Sequence, residues 1–369
     1  MTKDVLFLSS NRYGDFPSRK TRFSKYLSEN GFRVVYVDSP HTYLAYLKKD
    51  FKVEKIRLEK VSENFYVLRT FPILPFFKKY PLFNKLDEEI YFRIITSYLN
   101  EISFKPNLVF TYIPFFPQAL KRFGAKVIYD CVDDHASFGG LINPQFVNEL
   151  ERRTVKISDV VITTGNSLLK EKLTAFGKAP IQIPNGVDYA LFSKWLEIKD
   201  VLKIKKQIVY VGAISSWFDL ELIKFLSEHL SDFEILLIGF TSVDISALLT
   251  GKNIKFLGKL TQESFAPILW ESSVAIIPFK LNDLTKKIDP LKAYEYLASG
   301  LPVVSTPVGN VSSLPIYVAQ TKEEFLRKVE LAISEDSIEK RVKRAIYAKE
   351  FSWENRNRQI LDIVEELIH

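Results

Sequence analysis

The sequence predicts an α/β protein made of two doubly wound, Rossmann-like parallel-sheet domains that face each other across a cleft. Three observations predict it. Short apolar runs rich in Val, Ile and Phe alternate with longer amphipathic segments, the pattern of parallel strands covered by helices on both faces. The series runs through the first half of the chain and then restarts near residue 207. The length of 369 residues exceeds what one hydrophobic core usually supports.

The first series of strands is expected at "DVLFLSS" (4–10), "FRVVYVD" (32–38), "NLVFTYI" (107–113), "KVIYDCV" (126–132) and "DVVITTG" (159–165). The second comprises "QIVYVGAI" (207–214), "FEILLIG" (233–239), "IKFLG" (254–258), "VAIIPF" (274–279) and "PVVST" (302–306). Between them, "PNGVD" (184–188) to "KIKKQ" (203–207) is polar, basic and irregular, which suits a hinge, so the two domains meet near residue 190. The segment 351–368 is a final amphipathic helix. In open α/β sheets ligands bind beyond the carboxyl ends of the strands, so functional residues are sought just after strands.

Hydrophobic content of 47% and charged content of 26% suit a globular enzyme rather than a disordered chain. Cys131 is the only cysteine, so no intramolecular disulfide can form. Lys3 and Asp4 lead straight into a strand-like run rather than a signal peptide, and no apolar stretch reaches membrane-spanning length. A reducing, cytoplasmic setting is expected. Residues 1–130 carry 22 Lys+Arg against 13 Asp+Glu, a net of +9, while the remainder carries 29 against 31, a net of −2. The basic first half suits an anionic partner, or only solubility. No nucleic-acid-binding module is recognisable, so none is expected as a partner.

Five segments could carry chemistry. In "KKIDPLKAYEYLASGLPVV" (286–304) a helix is expected with Asp289 as N-cap, Pro290 at its first position and Gly300 ending it. Lys292 in its first turn, after Lys286 and Lys287, opposes the helix dipole unless an anion sits there. Glu295, one turn on, could accept hydrogen bonds from a ribose diol, so the helix reads as a nucleotide site. The alternative is a plain Lys292–Glu295 pair. In "VYVGAISSWFDLELI" (209–223), Gly212 ends a strand and would let a phosphate approach the backbone, before a helix capped by Asp219 or a nearby Ser. Neither a dinucleotide fingerprint nor a P-loop is present. In "YDCVDDHASFGG" (129–140), Asp133, Asp134 and His135 follow a strand and could handle the proton of an acceptor hydroxyl, or merely cap a turn. No metal-ligand spacing exists, so no metal is expected. The loop "SSNRYGDFPSRKTRF" (9–23) concentrates Arg12, Arg19, Lys20 and Arg22 around Gly14, either for an anion or as a solvated basic face. In "FPILPFFKKYPLFNK" (71–85) the prolines rule out a regular helix. Its Phe71, Phe76, Phe77, Lys78 and Lys79 suit a membrane interface or a filled gap in the first domain.

The whole resembles the GT-B glycosyltransferases, in particular the retaining branch called group 1, and within it bacterial cell-surface polysaccharide enzymes of the teichuronic acid type. The most specific stretch is "PLKAYEYLASGLPVVSTPVGN" (290–310), supported by "ISDVVITTGNSLLKEK" (157–172), "IPNGVD" (183–188) and "FSWENRNRQIL" (351–361). The resemblance implies an acceptor-binding domain over 1–188, with the C-terminal helix 352–369 packing back on it, and a nucleotide-sugar-binding domain over 189–351. It implies a nucleoside-diphosphate sugar as donor substrate, a glycan or lipid-linked acceptor, and no cofactor or metal. It also implies cytoplasmic work, with an anionic membrane surface as a possible partner. Carried over by position, Glu295 would hold the ribose, the backbone at Leu291 and Lys292 would meet the diphosphate, and Gly212 would sit near the phosphates. Asp133 to His135 would face the transferred sugar. Lys287 stands where many members have a donor-contacting Glu. Ala213 and Trp217 stand near positions where many have Arg and Lys, so the phosphate charge is sought among Lys292, Lys286 and Arg19. Gly14 is one glycine where the family often has two. Two other readings share the fold or the site: a non-hydrolysing nucleotide-sugar epimerase, and a non-catalytic binding protein of a polysaccharide assembly.

Overall fold

A computed structural model describes residues 3–15, 17–44, 55–69, 72–198 and 203–368. Phe16, Phe71, residues 199–202 and His369 of the expected segments lie outside them. The chain divides into two compact units, 1–183 with 357–369, and 184–356.

Unit 1 contains strands β1 (Lys3–Leu8), β2 (Phe32–Val37), β3 (His41–Thr42), β4 (Arg57–Ser62), β5 (Phe65–Arg69), β6 (Pro72–Ile73), β7 (Leu108–Thr111), β8 (Lys126–Cys131), β9 (Val160–Thr163) and β10 (Ile181–Gln182). Its helices are α1 (Arg19–Glu29), α2 (Pro81–Glu101), α3 (Pro117–Arg122), α4 (Pro144–Ile157) and α5 (Ser167–Ala175). The main sheet has the order β10-β9-β8-β7-β1-β2-β5-β4 and is parallel except for the β4–β5 hairpin at its edge. Strand β1 shows why it is covered on both faces. Val5 and Phe7 pack on one side with α1, while Leu6 and Leu8 pack on the other with α2 and α4, following the two-residue period of a strand. The strand order reverses between β1 and β7, so the loops after these two strands flank the switch point.

Unit 2 contains α6 (Tyr189–Phe192), β11 (Gln207–Val211), α7 (Leu220–His229), β12 (Glu234–Ile238), β13 (Ile254–Gly258), α8 (Gln262–Glu271), β14 (Val274–Ile277), α9 (Leu291–Ala298), β15 (Val303–Ser305), β16 (Tyr317–Val318), α10 (Lys322–Ser334) and α11 (Ile338–Lys349). Its all-parallel sheet has the order β13-β12-β11-β14-β15-β16, with the switch between β11 and β14. The last helix, α12 (Trp353–Ile368), starts in unit 2, and its Ile360, Leu361 and Val364 join the core of unit 1.

The expected α/β architecture of two parallel sheets is what the structure shows. Two expectations need correction. The prolines of 71–85 do not exclude helix throughout: α2 begins at Pro81, whose missing N–H costs nothing at a first helical position. The hairpin β4–β5 was not expected, because β4 is a largely polar, solvent-facing edge strand with no apolar run.

Candidate active site

In unit 2 the relevant residues sit at the switch point. β11 ends at Val211, and Gly212 follows with φ +142°. A Cβ there would lie 2.9 Å from Lys292 Cε and 3.3 Å from Lys292 Nζ. Gly239, after the neighbouring β12, is equally constrained, since a Cβ would fall 2.0 Å from the Gly212 carbonyl oxygen. The two strand ends thus approach through bare backbone, and Lys292 reaches across from the first turn of α9.

Helix α9 is fastened at both ends and along its length. At its C-terminus the Leu301 N–H donates to Tyr296 O (3.0 Å) and the Gly300 N–H to Leu297 O (2.9 Å), the Schellman arrangement, with Gly300 at φ +77°. Along its length, the buried Tyr296 hydroxyl accepts the Val211 N–H at 2.7 Å, which ties α9 to the end of β11. At its start the expected cap is corrected. Pro290 is the N-cap, no side chain caps the helix, and its first turn holds no acidic residue. The Asp289 carboxylate is turned away: it accepts the Asn185 N–H (2.7 Å) and the Tyr294 hydroxyl (2.7 Å), and Asn310 Nδ2 donates to the same hydroxyl (3.3 Å). Nothing in local sequence shows this network, because Asn185 lies 104 residues away.

Lys292 is half-buried. Its ammonium lies 4.6 Å from the Phe279 ring centre and 5.5 Å from that of Tyr210. It makes no recorded ion pair among the described residues. It is therefore not half of a close Lys292–Glu295 pair. Burial pushes its pKa down to about 8, against the weaker pull of Glu295. Glu295 is itself buried, and Gln262 Nε2 donates to its Oε1 at 2.8 Å. Leu291 and Lys287 are half-buried, Lys287 in a single turn of 3₁₀-helix before α9. The structure thus brings Gly212, Lys292 and Glu295 together, with Leu291 beside them in the first turn.

In unit 1 the loops after β1, β7 and β8 converge. Asp133, Asp134 and His135 follow β8, and His135 Nε2 lies 3.2 Å from Tyr112 O, just after β7. His135 is buried and its pKa falls to about 3, through desolvation first and then the neighbouring cations Lys78, Lys20 and Lys172. It is neutral at physiological pH. Asp134 is already engaged: Lys172 and the Ser137 hydroxyl (2.6 Å) donate to it, and Lys172 also pairs with the buried Glu151 at 2.6 Å. Asp133 has no such tie among the described residues. Burial raises its pKa, Lys20 opposes the rise and Asp134 adds to it.

Two expectations in this unit are corrected. Arg19 does not offer its guanidinium to a phosphate. It is buried, forks onto Asp130 at 2.8 and 3.2 Å, and donates to Ile183 O at 2.7 Å. The segment 76–79 does not present its side chains as a set to solvent. Phe77 is buried and stacks on Phe116 with ring centres 5.9 Å apart, and Lys78 lies 4.2 Å over the Phe115 ring. Phe76 and Lys79 are half-buried, Phe76 at φ +70°. Arg12 lies 3.8 Å from Asp38, and Gly14, at φ +96°, is exposed. The residues that the sequence did not mark are Tyr112, Lys172, Glu151 and Gln262. Each acts from a distant element, so only the fold assembles them.

Residues 205–334 match the family model of glycosyl transferases group 1. The chain carries a group 1 glycosyltransferase domain. It is 29% identical over 207 residues to a Bacillus subtilis (strain 168) protein assigned to teichuronic acid biosynthesis as the glycosyltransferase TuaH. That match covers 51% of the chain and spans 52% of the relative. Among solved structures it is similar to the sucrose-phosphate synthase of Thermosynechococcus elongatus, at TM-score 0.72, 15% identity and 99% of both chains. It is also similar to Anabaena HepE in complex with UDP, at TM-score 0.68, 13% identity and the full length of both chains. At these identities the solved structures speak to the fold, which is GT-B. Among the described residues no helix is long and apolar enough to cross a membrane.

Proposed function

We propose that the protein is a glycosyltransferase that moves a sugar from a nucleoside diphosphate to an acceptor hydroxyl in cell-surface polysaccharide or glycolipid synthesis. The reading includes retention at the anomeric carbon and no need for a metal. One observation carries it: a half-buried ammonium, Lys292, with no recorded carboxylate partner, at the uncapped start of α9, beside the bare backbone of Gly212 and one turn from Glu295. The whole cluster lies within the stretch that matches the group 1 model.

The chemistry follows from these groups. Breaking the anomeric C–O bond leaves an oxocarbenium-like sugar and puts negative charge on the departing diphosphate. Lys292 and the first N–H groups of α9 supply positive charge where that charge develops. Gly212 lets the phosphates reach the backbone, and Glu295 accepts from the ribose hydroxyls while Gln262 holds its other side. The acceptor belongs to unit 1, at Asp133 and His135. Neutral His135 serves as a hydrogen-bonding group there. If product NMR showed inversion, the base would be Asp133, because Asp134 is held by Lys172 and Ser137.

Association with the cytoplasmic face of an anionic membrane belongs to the same reading, but through α2 rather than Phe77. That helix buries Asn84, Asp87 and Glu88 and exposes Leu82, Leu86 and Ile90 beside Tyr80 and Lys85. Its buried acids hold neighbouring backbone: Asp87 accepts the N–H of Leu74, and Glu88 those of Gln118 and Ala119 in the first turn of α3. Its apolar stripe is left to the outside.

Thermal unfolding with UDP, GDP, dTDP, ADP and CMP in turn tests the donor site. HepE is solved with UDP, which makes UDP the first candidate. A nucleotide at 100 times its Kd adds about 2.7 kcal/mol to the folded state. The expected result is a shift by one nucleotide in wild type and none in Glu295→Ala. No shift with any of them favours the non-catalytic reading, and turnover of donor without acceptor would mark an epimerase.

A further inference from the structure

In unit 1, Lys20 and Lys78 are also held against aromatic rings with no recorded ion pair among the described residues. Lys20 lies in the first turn of α1 and is 7% exposed. Its ammonium lies 5.6 Å from the Tyr112 ring centre. Lys78 lies over Phe115 at 4.2 Å and over Phe77 at 5.4 Å. The two share one neighbour, His135, which bonds the Tyr112 carbonyl and packs its ring 5.3 Å from that of Phe115. Lys20, Tyr112, His135, Phe115 and Lys78 therefore form one continuous, largely buried cluster at the end of β7 and β8.

A cation buried against rings without an anion is costly, and the local carboxylates do not relieve it. Asp130 is forked onto Arg19, and Asp134 and Glu151 are held by Lys172. Asp133 and, less strongly, Asp130 act on Lys20, neither reaching ion-pair contact. Burial lowers both lysines, Lys78 to about 8. The backbone fixes their positions: Lys78 O accepts the Asn143 N–H at 3.0 Å, and a capping box between Ser18 and Thr21 sets the start of α1. The first turn of α1 contains no acidic residue, so the helix start and Lys20 favour the same charge.

We propose that unit 1 recognises an acceptor sugar that carries an oxyanion, a carboxylate or a phosphate, through the ammonium groups of Lys20 and Lys78. The proposal rests on the reading of unit 1 as the acceptor side. The oxyanion completes the two cations. Sugars without charge leave both ammonium groups unpaired and bind weakly, which makes the pair a selector for acidic acceptors.

Titration calorimetry of the full chain with glucuronate, glucose 6-phosphate and glucose tests this. Saturable binding of one charged sugar is expected, with glucose weaker by about tenfold or more. Lys20→Gln and Lys78→Gln should each weaken the charged sugar by about tenfold or more, while Lys20→Arg and Lys78→Arg retain it. Whichever of glucuronate and glucose 6-phosphate binds names the source of the oxyanion. Equal binding of glucose, or binding that survives both Gln variants but is lost in Lys292→Met, overturns the proposal, the latter because the anion would then occupy the diphosphate site. The UDP shift is measured on the same samples. If UDP shifts wild type and the Lys20 and Lys78 variants but no charged sugar is preferred, this inference fails and the donor reading stands. If UDP shifts nothing while glucuronate still needs Lys20, the donor reading fails and this one stands.

Discussion

Two half-buried lysines, one in each unit, have opposite surroundings. Lys172 in unit 1 is clamped between Asp134 and Glu151, and the Tyr129 hydroxyl donates to the same Glu151 at 2.6 Å. Lys292 in unit 2 faces two aromatic rings and makes no ion pair among the described residues. Both follow apolar strands in sequence and both sit on helices. On the proposed function, Lys172 serves the fold because its own chain completes its charge, and Lys292 is left to serve a ligand.

The largest effect should come from breaking the first arrangement. Lys172→Met strands two buried carboxylates, and loss of one partner from a buried ion cluster costs about 3–5 kcal/mol. Denaturant unfolding should show that loss. Lys292→Met is the opposite case. Stability should hold or rise, because a desolvated cation is removed, while UDP affinity falls by about tenfold or more. Equal destabilisation by the two substitutions would erase the distinction and make Lys292 a structural residue.

A smaller effect is expected next door. Gly212→Ala places a methyl 2.9 Å from Lys292 Cε at a φ of +142°, where strain costs about 1–3 kcal/mol. The flexible Lys292 side chain must give way, so UDP affinity should drop together with stability. A variant that loses stability but binds UDP as wild type does would separate Gly212 from the diphosphate.

The same contrast shows what the sequence made legible. The two parallel sheets were readable because their central strands are nearly continuous apolar runs, buried on both faces, and such runs need no tertiary information to recognise. The edge strand β4 was not, since half of it faces solvent. In the candidate site, Gly212, Lys292 and Glu295 were legible from strand ends and from charges that oppose a helix dipole. What those charges meet was not. Arg19 and Lys20 are adjacent and equally basic, yet about 100° of helical rotation sends one to Asp130 and the other to the Tyr112 ring. Asp289 looked like a cap until Asn185, from the far end of the unit, claimed its carboxylate. Burial sorted Phe77 from Phe76 in the same way, and the turn at 75–79 sends Lys78 over the Phe115 ring and Lys79 over that of Tyr80.

The smallest effect is a pH dependence, and it follows from the same isolation of Lys292. Its folded pKa of about 8 lies below the value of an exposed lysine. The cost of burying the cation is therefore fully present below about pH 8 and disappears as pH rises toward the unfolded value, so free-protein stability should climb over that window relative to Lys292→Met. A diphosphate reverses the preference, because it binds the charged form and raises the pKa. UDP affinity should then be flat below pH 7 and weaken by about fourfold at pH 8.5, with proton uptake on binding that calorimetry in buffers of different ionisation enthalpy can count. Lys172, already paired, titrates outside this window and gives no such signal. Binding of UDP that is independent of pH between 7 and 9 would mean that Lys292 does not meet the diphosphate, and the contrast between the two lysines would then be one of packing alone.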